Sequence, residues 1–311
     1  MNLFSKSKPY KIVSGDAVNK TLSHAYLLVC QDGKNLRAFL KEIAKLISGN
    51  NQRVQRLIEE ERYSDLKIIP SQAGGKIMVS DVKDITEDAY IKPIEQDFKI
   101  FIIDGLQNAN PASQNKLLKI LEEPPENVYF VLGTTNDYAV LPTVLSRVKR
   151  LDLFGFSESD IAEYLKEKFP YREDVLQISA ISGGSLEKAE ELAGEGTLKE
   201  LSDRAMEIAF NLTPKTAVEF SKSLPTLCSA DKFLPLLRLV FRDMLMLKLN
   251  RRDLITLGGN MQMLEKATMR YTERNLVLAQ SAISEAERNL KFNANLSMTY
   301  ETLFIRILEG R

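Results

Sequence analysis

The chain has 311 residues, with 42 Lys+Arg against 42 Asp+Glu, one His, two Cys and no Trp. That length favours two or three domains, because single cores stop growing at roughly 250 to 300 residues. One histidine, His24, excludes a two-His metal site, and two cysteines, Cys30 and Cys228, exclude a four-cysteine zinc module or a disulfide scaffold.

Short apolar runs open the chain and alternate with helical patterns. Strands are predicted at Ala25–Cys30 (AYLLVC), Leu66–Ile69, Lys99–Ile103 (KIFII), Val128–Leu132 (VYFVL) and Leu151–Phe154. They are rich in Val, Ile, Phe and Tyr and mostly apolar on both faces, as buried parallel strands are. Between them, Leu36, Phe39, Leu40, Ile43, Ala44 and Ile47 lie on one face of a helix. Residues 52–63 read as a charged helix. Ser80 is expected to cap a helix that begins at Asp81. Asn110-Pro111 supplies an N-cap with Pro at the first helical position, and that helix must stop before Pro124-Pro125. Such alternation predicts a parallel sheet covered on both faces.

After about Phe154 the strand signal ends. Helices are expected at 157–168, 172–180 and 185–193, with Gly183-Gly184 as punctuation. Longer helical runs follow from about Lys199: 217–224, 233–249, 261–269, 274–291 and 298–308. The segment FLPLLRLVFRDMLMLKL, starting at Phe233, is apolar enough to lie inside a helical bundle. Charge is uneven as well. Gly155–Arg204 holds 12 acidic and 6 basic residues, a balance of −6, and Ser221–Asn275 holds 10 basic and 5 acidic, a balance of +5. This fits separate modules. The expected division is an α/β domain over 1–154, a small helical unit over 155–198 and an all-α domain over 199–311.

Several segments in the first half carry a resemblance. They are Ser23-His24-Ala25-Tyr26-Leu27, the stretch NKLLKILEEPPEN from Asn115, VYFVLGTTN from Val128, and LPTVLSR ending at Ser146-Arg147. In this order they are similar to the AAA+ subunits of bacterial replicative clamp loaders, over roughly Thr21 to Leu153. Gly183-Gly184-Ser185-Leu186 and the tail from Ala282 to Leu308 extend the likeness weakly. Within that family the chain looks like the delta-prime subunits of DNA polymerase III, because of what it lacks.

A phosphate loop needs G-x-x-x-x-G-K-[ST]: glycines so that backbone N–H groups cradle phosphates, Lys for the β/γ-phosphates, Ser/Thr for Mg²⁺. The aligned residues are Cys30-Gln31-Asp32-Gly33-Lys34-Asn35-Leu36-Arg37. Cys30 and Asn35 stand where the glycines belong, Leu36 where the Lys belongs and Arg37 where the Ser/Thr belongs. Asp32-Gly33 then reads as a turn after a strand. The strand Phe101-Ile102-Ile103-Asp104-Gly105 keeps an Asp, but Gly105 holds the position of the Glu that would polarise an attacking water. Asp104 is accordingly expected to be structural. Thr135 falls at the family's sensor-1 position and Glu187 where active members carry a sensor-2 Arg; an acid there would repel a γ-phosphate. The family's four-cysteine zinc module has no Cys to match it between Ser48 and Asp65, being either absent or replaced by the charged helix of Gln52 to Tyr63, so neither a metal nor a cofactor is expected.

Ser146-Arg147 survives. In the family a Ser-Arg-Cys motif ends a short helix at the subunit edge, and its Arg enters the neighbouring subunit's ATP site. A planar, permanent guanidinium suits charge spread over phosphoryl oxygens. Val148 replaces the Cys.

The resemblance therefore implies a non-catalytic subunit with an AAA+ domain, a helical lid and a helical collar. It would sit in a hetero-oligomeric ring beside ATPase and clamp-opening subunits. The sliding clamp and primer-template DNA would be met through the complex. Two rivals stand beside it: an active clamp-loader ATPase, and an AAA+-derived scaffold outside replication. ATP binding by the purified chain and its co-purifying proteins separate them. No apolar run approaches the ~20 residues of a membrane span, and MNLFSKSKPY lacks a signal peptide's apolar core; a cytoplasmic protein is expected.

Overall fold

A computed structural model describes residues 3–196, 198–257 and 261–309. The outer ends of the expected first and last domains, residues 1–2 and 310–311, lie outside the described residues. The chain divides into two compact units. The first comprises Met1–Glu167 with Gly184–Lys188, and the second Lys168–Gly183 with Ala189–Arg311.

The first unit is built on a five-stranded sheet of β1 (Ala25–Cys30), β2 (Leu66–Ile69), β3 (Lys99–Ile103), β4 (Val128–Thr134) and β5 (Lys149–Leu153). The order is β2-β3-β4-β1-β5 and every pairing is parallel, with Ala25 opposite Phe130, Tyr26 opposite Lys149 and Ile100 opposite Leu66 and Tyr129. Parallel neighbours require crossovers. Helices α1 (Lys8–Val18), α2 (Leu36–Ile47) and α3 (Gln52–Glu59) precede β2 around β1, while α4 (Val79–Ala89), α5 (Pro111–Glu122) and the single turn α6 (Pro142–Leu145) separate the later strands.

Side-chain alternation assigns the two faces. Leu27, Phe101, Ile103, Phe130 and Leu132 pack in one cluster with Val82 and Ile85 of α4, Leu117 and Leu121 of α5 and Val144 of α6. Their neighbours Tyr26, Leu28, Ile100, Ile102 and Val131 are equally buried on the opposite face. There α2 lies close: a Cβ on Gly133 would come within 2.7 Å of Leu40 Cδ1 and 3.0 Å of Leu36 Cδ1. The apolar stripe predicted for α2 is the buried one.

Several details differ from the sequence reading. Strand β4 runs on to Thr134, and β5 starts at Lys149, two residues before its apolar core, as an edge strand with charged outer positions can. Ser80 does not cap α4. The helix starts at Val79, and the Asp81 carboxylate instead accepts a 2.8 Å hydrogen bond from the backbone N–H of Met78. An N-terminal helix, α1, precedes the first strand; the Ser7 hydroxyl accepts from the Tyr10 N–H at its start and Pro9 sits in its first turn. Asn110 caps α5 as expected, its side chain accepting from the Ser113 N–H at 2.8 Å.

The second unit is helical throughout its described residues. It contains α8 (Val175–Ile181), α10 (Leu198–Asn211), α11 (Pro214–Leu227), α12 (Ala230–Lys248), α13 (Met261–Thr268), α14 (Glu273–Lys291) and α15 (Leu296–Glu309). Helix α7 (Glu158–Lys168) ends the first long segment of unit one, and α9 (Leu186–Gly194) starts in the short one. Helix α12 buries Phe233, Leu236, Leu237, Val240, Phe241 and Met244, so it is apolar nearly all round because helices cover it nearly all round. Phe233 meets Tyr300 of α15 edge-on and Phe241 meets Tyr271 likewise. Asp243 is fully buried and accepts from the backbone N–H groups of Thr256 and Leu257, which fixes the turn after α12.

Candidate functional site

In an open parallel sheet the crevice lies outside the carboxyl ends of the strands, where the strand order reverses. Here that edge is formed by the residues after β1, β3 and β4, because β1 sits between β4 and β5. It gathers Cys30 and Asp32 after β1, Asp104 and Gly105 after β3, and Thr135 after β4. A Cβ on Gly33 would lie 3.5 Å from Thr135 Cγ2, so the loops after β1 and β4 are neighbours.

The loop after β1 is held by its own groups. Cys30 is buried, and its Sγ accepts from the Asp32 N–H at 3.4 Å; burial pushes the thiol up to about 12. Asp32 is 6% exposed. Its Oδ1 accepts from the Asn35 backbone N–H at 3.0 Å, and Asn35 Nδ2 donates to both carboxylate oxygens. Its Oδ2 accepts at 3.0 Å from the backbone N–H of Glu187, in the first turn of α9. Gly33 and Asn35 thus form a turn closed by an acid.

Leu36 and Arg37 open α2 and point to different tasks. Leu36 is 2% exposed and packs under Gly133, so the position that would carry a phosphate-binding Lys belongs to the core. Arg37 donates from Nη2 to Pro70 O at 2.7 Å and from Nη1 to Ser71 O at 3.1 Å. Its Nε lies 3.5 Å from Glu61 Oε1 and 3.8 Å from Asp104 Oδ2. Asp104 is 3% exposed, and no hydrogen bond reaches its Oδ2. Burial raises its carboxyl above the usual range, against the opposing pull of Arg37. A guanidinium therefore sits beside the acid that would hold a metal.

Gly105 has a backbone φ of +83°, and a Cβ there would lie 3.1 Å from Asn108 Nδ2. A left-handed turn is the reason for glycine at this position. Gln107 clasps the end of β4: its Oε1 accepts from Thr134 Oγ1 at 3.0 Å and from the Thr135 N–H at 3.1 Å. These residues do not suit a nucleoside triphosphate and its metal. The lysine position is buried apolar, the metal-holding hydroxyl is replaced by a cation, and the loop amide of Asn35 is already bonded to a carboxylate.

Ser146 and Arg147 lie at the other end of this construction, at the close of α6. Arg147 Nη1 donates to Thr143 O at 2.7 Å and to Ser146 Oγ at 3.1 Å. Its Nε donates to Glu122 Oε1 at 2.8 Å, and Nη2 reaches the same carboxylate. The stretch leading into α6 is fixed by Gln114, a residue sequence reasoning passed over. Gln114 is 1% exposed; its Nε2 donates to Ala109 O and Ala139 O, and its Oε1 accepts from the Leu141 N–H at 2.8 Å. Asp32 and Glu122 were also missed. Glu122 lies inside the LEEPP stretch that carries the resemblance, and Asp32 left a signal only as the acid of an Asp-Gly turn. Among the described residues no group of His, Cys, Asp and Glu could hold a metal ion, and no helix is long and apolar enough to cross a membrane.

Residues 5–156 match the sequence profile of the family described as "DNA polymerase III, delta subunit". The match covers just under half of the chain, and over it the sequence is similar to the clamp-loader subunits of DNA polymerase III. The similar curated proteins bear related names. The DNA polymerase III subunit tau/gamma of Haemophilus influenzae is 31% identical over 137 residues, 42% of this chain and 20% of that protein. The subunit gamma of Buchnera aphidicola from Acyrthosiphon pisum is 32% identical over 152 residues, 47% of this chain and 42% of that protein. The chain thus spans less than half the length of either relative. A solved gamma subunit-related protein of Thermotoga maritima aligns over 96% of this chain and 99% of its own, with 20% identity and a TM-score of 0.42.

Proposed function

We propose that the chain is a delta-prime-like, non-hydrolysing subunit of a DNA polymerase III clamp loader. The observation that carries this is the ion pair of Arg37 with Asp104 at the nucleotide edge, together with an intact Ser146-Arg147 at the end of α6. The first removes a place for a metal-bound phosphate; the second keeps a cation for use elsewhere. In this reading Arg147 reaches in trans into the ATP site of a neighbouring subunit, where it neutralises charge on the transferring phosphoryl group. To do so it must leave Glu122. An exposed pair of this kind is worth about 0–1 kcal/mol, so release costs little. The parts of the chain, 1–154, 155–198 and 199–311, are assigned as AAA+ domain, lid and collar. ATPase and clamp-opening subunits are the direct partners in the cytoplasm, and the sliding clamp and primed DNA are met through the assembly.

The test is a reconstituted loader carrying Arg147→Ala. Assembly should persist while ATP turnover falls by about 10³-fold at the adjoining site, the lower range for such arginines. Unchanged turnover would remove the role. Calorimetry of the isolated chain with millimolar ATP should give no binding heat; a clear isotherm would favour the active-ATPase reading.

A further inference from the structure

The Asp32 carboxylate does more than close its own turn. It joins two stretches of chain 155 residues apart, by accepting the Glu187 N–H. Residues 184–188 belong to the first compact unit although the chain on either side of them belongs to the second. Something must hold so short a segment in place. One anchor is a backbone contact: the Phe156 N–H donates to Gly184 O at 2.9 Å, with Gly155 at φ +122° and Gly184 at φ +88°. A Cβ on either glycine would come within 2.9 Å of the opposing backbone carbonyl oxygen. The other anchor is Asp32.

The chemistry of that second anchor is specific. The first turn of a helix presents unpaired N–H groups and a partial positive charge, and it favours an anion. In the first turn of α9, the Ser185 hydroxyl accepts from the Lys188 N–H at 3.3 Å, while the Glu187 N–H goes to Asp32. The same carboxylate takes the Asn35 N–H from the loop after β1. One buried oxyanion thus receives backbone donors from a loop and from a helix start, as a bound phosphate would. The Asp32 N–H is itself held by Cys30 Sγ, so the anion is fixed by the strand from which it grows.

We infer that Asp32 is a built-in oxyanion that clasps the Gly184–Lys188 segment to the α/β unit, so that no ligand is needed to hold it there. The inference deepens the filled-site reading but stands apart from any role in clamp loading. In the full chain, Asp32→Ala should raise hydrogen exchange at the Glu187 amide by about ten- to a hundredfold, the loss expected for a charge-assisted bond. Exchange in β3 should stay as in the parent. Millimolar inorganic pyrophosphate should restore protection of the Glu187 amide in this variant and change nothing in the parent. Asp32→Asn supplies a single neutral oxygen and should give an intermediate rise; it also serves if the alanine variant does not fold. Unchanged exchange at Glu187 in either variant overturns the clasp. Raised exchange that pyrophosphate does not lower overturns the oxyanion role. Neither result depends on ATP binding by the parent chain, which tests the functional reading separately.

Discussion

Gln114→Leu tests how the stretch leading into α6 is held. The substitution nearly conserves volume, so the cost should come from hydrogen bonds and not from a cavity. Three bonds are lost: to Ala109 O at 3.1 Å, to Ala139 O at 2.8 Å and from the Leu141 N–H at 2.8 Å. At about 1 kcal/mol each they would total about 3 kcal/mol. Ala139 is exposed and its carbonyl can turn to water, which lowers the expectation to about 2 kcal/mol. With a urea slope of about 2 kcal/mol/M, the unfolding midpoint of the α/β unit should fall by about 1 M. Because the chain has two units, the assay is hydrogen exchange of β3 and β4 amides against urea concentration, not a single optical transition. The Leu141 amide should lose protection even without urea. In a reconstituted loader, turnover should drop in the direction of the Arg147→Ala variant, although Gln114 is not bonded to Arg147. A midpoint shift below about 0.2 M, with Leu141 still protected, would refute this account.

Two further outcomes follow from the arrangement of Asp104 and Gly105 after β3. Gly105→Glu puts the missing acid back, yet it should confer no ATP turnover, and the left-handed φ of +83° should make it destabilising by about 1–2 kcal/mol; measurable hydrolysis would contradict the geometry. Asp104 has a folded pKa raised above its unfolded value. Its contribution is therefore most favourable below about pH 3.9 and is lost as pH rises through the folded value. Asp104→Asn should flatten that fall in stability between about pH 4 and neutrality; urea midpoints of parent and variant across this range check it, and parallel profiles would count against the assignment.

The sheet was legible because its strands are bounded apolar runs: β1, β2 and β3 begin and end where the β-rich segments do. Asn110-Pro111 announced α5 through local chemistry alone. The start of α4 shows the limit of that method. Ser80 looked like a cap, but the bond that forms is from Met78 N–H to Asp81, and nothing in the sequence ranks one local polar group above another. Ser7 and Pro9 carried the signal of α1, which went unread beside two lysines. At the candidate site, the departures at Cys30, Asn35, Leu36 and Arg37 could be read one by one. What fills the space could not. The reach of Arg37 to Pro70 and Ser71, and of Asp32 to Glu187, joins residues far apart in the chain. Gln114 read as one more polar position on a helix; its burial depends on where Ala139 and Leu141 are brought by β4.

The discontinuity of the first unit also has a consequence in time. A ribosome that has delivered residue 167 has made every strand, but not the five residues that Phe156 and Asp32 await. Those residues trail by about twenty positions, or roughly one to four seconds at the usual 5–20 residues per second of synthesis. During that interval the Asp32 carboxylate lacks its Glu187 donor and the Phe156 amide lacks its Gly184 acceptor, and the domain's last step of consolidation must wait for chain that belongs mostly to its neighbour. A fragment ended at residue 167 would be held in that unfinished state permanently.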